Sequence, residues 1–301
     1  MSNERDVLAT RQTVPMRDST LIMSDGRTVG FATYGPDAGT PVLWCHGGPG
    51  SRLEPGPFEP FLDQLGLRLI GIDRPGYGLS SLRPDRSIAD WVPDGLAVAD
   101  ALGLQQFLAV GVSTGGAYAL ALAALAPERV RAVVACCAMS DMRHQPSRDT
   151  MSRPYCHDVW NARDRAAAVE VARAGFGDDG SQMMSTDNAD LCAADLAFIA
   201  QAAADPAQEV SRRAQFANGV QGYVDDRLAD GAGWVSFAVA SVSCPVVVLH
   251  GSDDTIVGPI NARHTASLIP QATLRLEEGH GHLSVVASVV EPLLELVAAT
   301  R

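Results

Sequence analysis

Five short apolar runs punctuate the chain: TPVLWCH (40–46), LRLIGID (67–73), QFLAVGV (106–112), VRAVVACC (130–137) and CPVVVLH (244–250), with helical stretches between them. Each run is almost continuously apolar and lacks the polar–apolar alternation of a strand with one wet face. Strands of that composition need cover on both faces, which a parallel sheet between two layers of helices provides. The predicted fold class is therefore α/β. Ahead of the first run, the segment from Ser19 to Tyr34 alternates around Ser24-Asp25-Gly26, which predicts a hairpin. Helix boundaries are also marked. Ser87 with Asp90 predicts a capping box before a helix over 91–102, Pro259 suits a first helical turn, and Pro127 closes the stretch that begins at Ser113.

Between Ser140 and Val242 the strand rhythm is lost, and helical segments are expected around 160–174, 188–204 and 206–229, with Asp205-Pro206 as a helix start. The sheet is thus interrupted by an insertion. It carries Trp160, Met183, Met184, Phe198, Phe216, Tyr223 and Trp234, which either pack a small helical subdomain, the commoner use, or line a pocket. The expected organisation is an N-terminal arm over 1–18, a core formed by 19–140 and 243–301, and a helical cap or lid over 141–242.

Composition narrows the chemistry. A chain of 301 residues with 47% hydrophobic and 19% charged residues can bury a large core and carries too little charge for disorder. A net charge of −12 argues against nucleic acid and anionic membranes as partners, because both call for a basic face. No apolar stretch reaches the roughly 18 residues of a membrane-spanning helix, and the opening MSNERDVLATRQTVPMRD lacks the apolar centre of a signal peptide, so a cytoplasmic protein is expected. All 23 basic side chains are arginine. Without lysine there is no Schiff base, no pyridoxal phosphate site, no Ser-Lys dyad and no Walker phosphate loop. The six cysteines, Cys45, Cys136, Cys137, Cys156, Cys192 and Cys244, form no C-x-x-C pair and read as buried free thiols.

The stretch GVSTGG (111–116) places Ser113 between glycines where an apolar strand runs into an apolar helix, AYALALAALA. A nucleophilic serine needs exposure, a base, a carboxylate to orient that base and two backbone donors for an oxyanion. The turn supplies exposure, with Gly111 and Gly115 leaving room for unusual backbone angles, and the helix N-terminus supplies positive potential. A lone G-x-S-x-G is weak by itself, so the remaining parts decide.

These parts identify a resemblance. Over residues 19–301 the chain resembles the α/β-hydrolase superfamily, in particular its Ser-Asp-His members with a helical cap. WCHGGPGS (44–51) resembles the family's H-G-x-P-G loop, which implies that the Gly48 and Thr114 amides are the oxyanion donors. DRPGYGLSS (73–81) resembles the D-x-x-G-x-G-x-S turn, whose implied task is structural. HGSDDTIVGP (250–259) puts Asp254 at the family's acid position, with Asp253 adjacent and Asp141, after an earlier strand, as a third candidate. EEGHGHLS (277–284) offers His282 and His280, and His282, followed by Leu283-Ser284, matches better. Ser113, Asp254 and His282 then occur in the superfamily's chain order, each just past a strand. His46 and His250 end strands and read as buried structural groups, whereas His144, His157 and His264 show no partner pattern. No metal-ligand spacing appears, and no cofactor or metal is expected.

The implied function is a serine hydrolase, a carboxylesterase acting on small or medium uncharged esters through an acyl-enzyme on Ser113. Its partner is a small-molecule substrate, and a homodimer is left open. HGGPG also resembles proline iminopeptidases, although those carry tryptophan where this chain has Thr114, and acidic groups for a substrate amine are not assignable in the insertion. Lactonase and carbon–carbon bond hydrolase share the triad. A ligand receptor on the same fold is the reading from another class, and repeated turnover of short p-nitrophenyl esters separates it from an enzyme.

Overall fold

The computed structural model describes residues 17–151, 154–182, 190–203, 205 and 207–300. The described residues build an eight-stranded sheet from β1 (Arg17–Ile22), β2 (Thr28–Tyr34), β3 (Thr40–Cys45), β4 (Leu67–Ile72), β5 (Phe107–Val112), β6 (Val130–Cys136), β8 (Val246–Gly251) and β9 (Ala272–Glu277). Their order is β1-β2-β4-β3-β5-β6-β8-β9. β1 and β2 form the antiparallel hairpin, β2 pairs antiparallel with β4, and every later pairing is parallel. β1 begins at Arg17, so Arg17 and Asp18 pair with Thr33 and Ala32 and are not part of an arm.

Alternate residues of the buried strands feed two cores. Leu43 and Cys45 pack on one face with Trp91 and with Ala119 and Leu122 of α3 (Gly115–Leu125), together with Ala262 of α10 (Ile260–Leu268). Val42 and Trp44 pack on the other with Leu62 of α1 (Glu59–Leu65) and with Leu293 and Val297 of α11 (Val290–Ala299). This two-sided burial is the physical reason the strands read as unbroken apolar runs. Ser87 and Asp90 do exchange hydrogen bonds, the Ser87 amide donating to Asp90 at 2.8 Å and the Asp90 amide to the Ser87 hydroxyl at 3.3 Å. They open a short 3-10 turn that leads into α2 (Val92–Ala101).

The excursion between β6 and β8 is helical: α4 (Gln145–Asp149), α5 (Pro154–Trp160), α6 (Arg165–Phe176), α7 (Ala193–Ala203), α8 (Ala207–Gln215) and α9 (Gln221–Gly231), with the short strand β7 (Ala217–Val220) between the last two. The single helix expected over 206–229 is therefore broken. Gly219, within β7, sits at φ 64°, a left-handed conformation that a continuous helix does not contain. Phe216, Tyr223 and Phe176 bury one another with Val169 and Val224, which is the packing use of these aromatics, and Trp234 joins the main core. Phe198 is exposed, and Met183, Met184 and Pro206 lie outside the described residues. Among the described residues no helix is long and apolar enough to cross a membrane.

Candidate active site

Register explains why distant residues meet. β3 and β5 are parallel neighbours with Cys45 opposite Gly111, β5 sets Val112 opposite Cys136 of β6, and β6 sets Cys136 opposite Leu249 of β8. The loops that follow these strands therefore emerge side by side at the C-terminal edge, next to the point where β4 and β5 leave opposite sides of β3.

Ser113 occupies the turn between β5 and α3 at φ 52°, a region costly for a non-glycine residue. The turn tolerates no bulk nearby, since a Cβ on Gly115 would lie 2.0 Å from the Cys45 carbonyl oxygen and one on Gly111 would lie 2.4 Å from that of Gly115. The Ser113 amide donates to the Cys136 carbonyl at 2.9 Å, which fixes the turn to the neighbouring strand. Its hydroxyl oxygen lies 3.1 Å from Nε2 of His282, and Nδ1 of that ring lies 2.8 Å from Oδ2 of Asp254.

Asp254 is locked in turn. Its Oδ1 accepts from the amides of Ile256 at 2.9 Å and Val257 at 2.8 Å, and its Oδ2 lies 3.0 Å from Nε2 of buried His250. Burial opposes the charge on Asp254, but His282, His250 and these hydrogen bonds outweigh it and hold the carboxyl well below its ordinary range. Burial likewise opposes a charged His282, yet the Asp254 carboxylate, with smaller contributions from Cys137 and Asp195, outweighs it and raises the ring above the usual histidine value. The arrangement is a hydroxyl, an imidazole and an ionised carboxylate in a hydrogen-bonded line.

Gly48 and Thr114 lie next to each other beside this line. A Cβ on Gly48 would stand 2.7 Å from the Thr114 hydroxyl, and among the described residues neither amide donates to a protein acceptor. The loop holding Gly48 is braced from beneath. Glu54 accepts from the Gly47 amide at 2.9 Å and from the Trp44 indole at 2.8 Å, and burial raises its carboxyl. Arg74 donates to the carbonyls of His46 and Gly47, the latter at 2.7 Å.

The rival positions fall elsewhere. Asp253 accepts from the Ser252 hydroxyl at 2.7 Å, and Asp141 is engaged by Arg143 and by the Trp234 amide at 3.3 Å. His280 contributes its carbonyl to the Asp253 amide at 2.9 Å, while its ring nitrogen Nδ1 is buried without a partner. His282→Ala is accordingly expected to abolish turnover, and His280→Ala to cost less than about tenfold, ~1.4 kcal/mol, through loop packing alone. Kinetics of the two variants on one ester check this; reversed effects would move the base by two residues.

Two features differ from the sequence reading or escape it. His144 and His264, expected to lack a partner pattern, stack at 3.8 Å with 11° between their planes, held by the hydroxyls of Ser147 and Ser140. Arg227 of α9 reaches the site unannounced. It is buried, donates to the Thr114 hydroxyl, lies 3.1 Å from the Met139 sulfur and pairs with Asp230 at 2.5 Å. The charged run DDR, residues 225–227, ordinarily reads as a solvated face, and only the folded excursion puts it inside. Among the described residues no three His, Cys, Asp or Glu side chains gather as a metal-ligand set, and the cysteines are free.

The comparisons with known proteins agree with this architecture. The model of the alpha/beta hydrolase fold family matches residues 40–287. The chain is 44% identical over 99 residues to a 2-hydroxymuconate semialdehyde hydrolase from Pseudomonas putida, covering 32% of this chain and 35% of that protein. It is 32% identical over 126 residues to a proline iminopeptidase from Neisseria gonorrhoeae, covering 40% and 39%. The chain thus matches well under half the length of either curated relative. A solved thermophilic esterase from Thermogutta terrifontis superposes with a TM-score of 0.67 at 20% identity, over 94% of this chain and 99% of that one, a likeness of fold.

Proposed function

Since the chain belongs to the alpha/beta hydrolase fold family, we propose that it is a serine hydrolase that cleaves uncharged carboxylic esters through an acyl-enzyme on Ser113. The observation that carries this reading is the line Ser113–His282–Asp254, 3.1 and 2.8 Å long, beside two backbone amides without protein acceptors. His282 takes the Ser113 proton as Oγ attacks the ester carbonyl, and Asp254 stabilises the imidazolium that results. The amides of Gly48 and Thr114 donate to the oxyanion, where a single donor is typically worth about 10²–10³ in turnover. His282 then gives its proton to the departing alkoxide. It next draws a proton from water as the water oxygen attacks the acyl carbon, and returns that proton to Ser113 Oγ as the C–O bond to the serine breaks and the acid departs. The Arg227 guanidinium, itself paired with Asp230, donates to the Thr114 hydroxyl and so holds in place the residue whose amide donates to the oxyanion. The excursion over 141–242 serves in this reading as the cap over Ser113 and bears the substrate-selecting surface.

A second reading, carbon–carbon bond hydrolysis, is favoured by the identity with the semialdehyde hydrolase over 99 residues. The same serine and base would serve it, with a carbon leaving group protonated in place of the alkoxide. The deciding experiment is a panel of p-nitrophenyl esters of graded acyl length beside proline naphthylamide, a lactone and a dienoate semialdehyde product. Preferred turnover of the esters is expected, and preferred turnover of any other member would replace the ester assignment. Only the neutral form of His282 can accept the serine proton, and its pKa is raised, so ester turnover is expected to climb with pH through a limb above the ordinary 6.5. A pH–rate profile checks this; a limb below 6.5 would mean that Asp254 does not support the ring as described.

A further inference from the structure

α7 has one buried side chain, and it is a carboxylate. Leu196 and Phe198 of that helix are exposed while Asp195 is 1% exposed, the reverse of an ordinary amphipathic helix. A buried carboxylate must find donors, and among the described residues those of Asp195 lie in the loop that carries His282. Its Oδ1 accepts from the Leu283 amide at 3.1 Å, the Ser284 amide at 2.8 Å and the Ser284 hydroxyl at 2.8 Å. The Ser284 hydroxyl oxygen accepts in turn from the Gly281 amide at 3.0 Å. The backbone after His282 is thus tied to Asp195 Oδ1 directly, and the amide before it through the Ser284 hydroxyl. A 3-10 turn follows at Ser284–Val289, and Asp195 caps the amides at its start from a helix 89 residues earlier in the chain. The same segment also touches the loop bearing Asp254, where the Thr255 hydroxyl donates to the Asp190 carbonyl at 2.9 Å.

We infer that Asp195 is a positioning residue that fixes the backbone around His282 and so couples the helical excursion to the geometry of the base. The inference rests on the proposed role of His282 and adds to it the element that holds the ring in place. A serine–base distance of 3.1 Å leaves little slack, and a misplacement of about 1 Å can cost on the order of 10²-fold in rate. The groups facing His282 are Asp254 after β8, Ser113 after β5, Cys137 after β6, Asp195 on α7 and Glu54 after β3. Among the described residues of the excursion, Asp195 is the group that faces the ring.

The test compares the full-length wild type with Asp195→Ala and Asp195→Asn. It follows the rate at which a fluorophosphonate labels Ser113, the melting temperature, and the pH dependence of labelling. Asp195→Ala is expected to label about 10–100-fold more slowly, with a melting temperature lowered by the loss of the cap to Leu283 and Ser284 but a cooperative unfolding transition retained. Asp195→Asn keeps an acceptor oxygen and should restore most of the rate, while the loss of a negative charge facing the ring moves the rising limb to lower pH. Labelling of Asp195→Ala at the wild-type rate would overturn the inference, as would an Asp195→Asn variant that is as slow as Asp195→Ala with an unmoved limb. If Asp195→Ala does not fold, the Asp195→Asn rate and limb decide alone. A wild type that is not labelled at Ser113 would instead sink the hydrolase reading, and the inference with it.

Discussion

Replacing Ser113 by alanine is expected to leave a folded protein whose turnover falls by about 10⁴–10⁶-fold, roughly 5–8 kcal/mol of lost transition-state stabilisation. The fold should not register the change, because the hydroxyl is partly exposed and its hydrogen-bond partner is the His282 ring rather than the core. The backbone that holds the turn is left intact, since the amide and carbonyl of residue 113 make the bonds to Cys136 and Gly116, and alanine supplies both. Positive φ is no worse for alanine than for serine. The residual rate would come from the oxyanion donors and substrate binding alone. Steady-state kinetics on the preferred ester, paired with a urea denaturation midpoint, check the prediction; a variant keeping a tenth of the activity would place the nucleophile elsewhere.

Asp226→Ala is expected to act on the opposite property, lowering stability by about 3–5 kcal/mol, a large share of the roughly 5–15 kcal/mol that holds a domain together. Asp226 of α9 is fully buried between the guanidinium groups of Arg74 at 2.7 Å and Arg86 at 2.5 Å, and it accepts from the hydroxyls of Tyr77 and Tyr118, each at 2.9 Å. Burial opposes its charge, but the two arginines outweigh burial and hold its carboxyl far below the ordinary range. Removing it would strand two positive charges in the interior, which costs far more than the net worth of the pair. The loss should also reach the site, because Arg74 carries the loop of His46, Gly47 and Gly48. A shift of the urea midpoint measures the effect. A midpoint within the range of a surface substitution would mean that these charges are solvated or paired in some other way.

The sheet and the meeting of Ser113, His282 and Asp254 were legible because both leave local signatures. Strands buried on two faces must be apolar throughout, and a serine turn between a strand and a buried helix requires glycine where a Cβ would meet backbone, as at Gly115. β9 was not legible for the converse reason. It lies at the sheet edge, is only half-buried, and mixes Thr273, Arg275 and Glu277 with its apolar residues. The bracing groups were hidden for a different reason. Asp226 meets Arg74 across 152 residues and Asp195 meets Ser284 across 89, and no local period records which carboxylate will be drawn inside. Aspartates on helices ordinarily mark wet faces, so α7 and α9 invert the usual reading. Within the excursion, α4 and α5 and the break at Gly219 follow from tertiary packing and a backbone angle, not from hydrophobic rhythm.

The central claim, a covalent acyl intermediate on Ser113, is tested most directly by acid-quenching the protein during turnover of a p-nitrophenyl ester and mapping the acylated peptide by mass spectrometry. The account predicts the acyl group on the peptide containing Ser113, formed in a burst with stoichiometric p-nitrophenol and absent from Ser113→Ala. It also predicts that His282→Ala forms this adduct far more slowly than the wild type. Acylation of any other residue, or steady turnover by Ser113→Ala with no adduct, would contradict it.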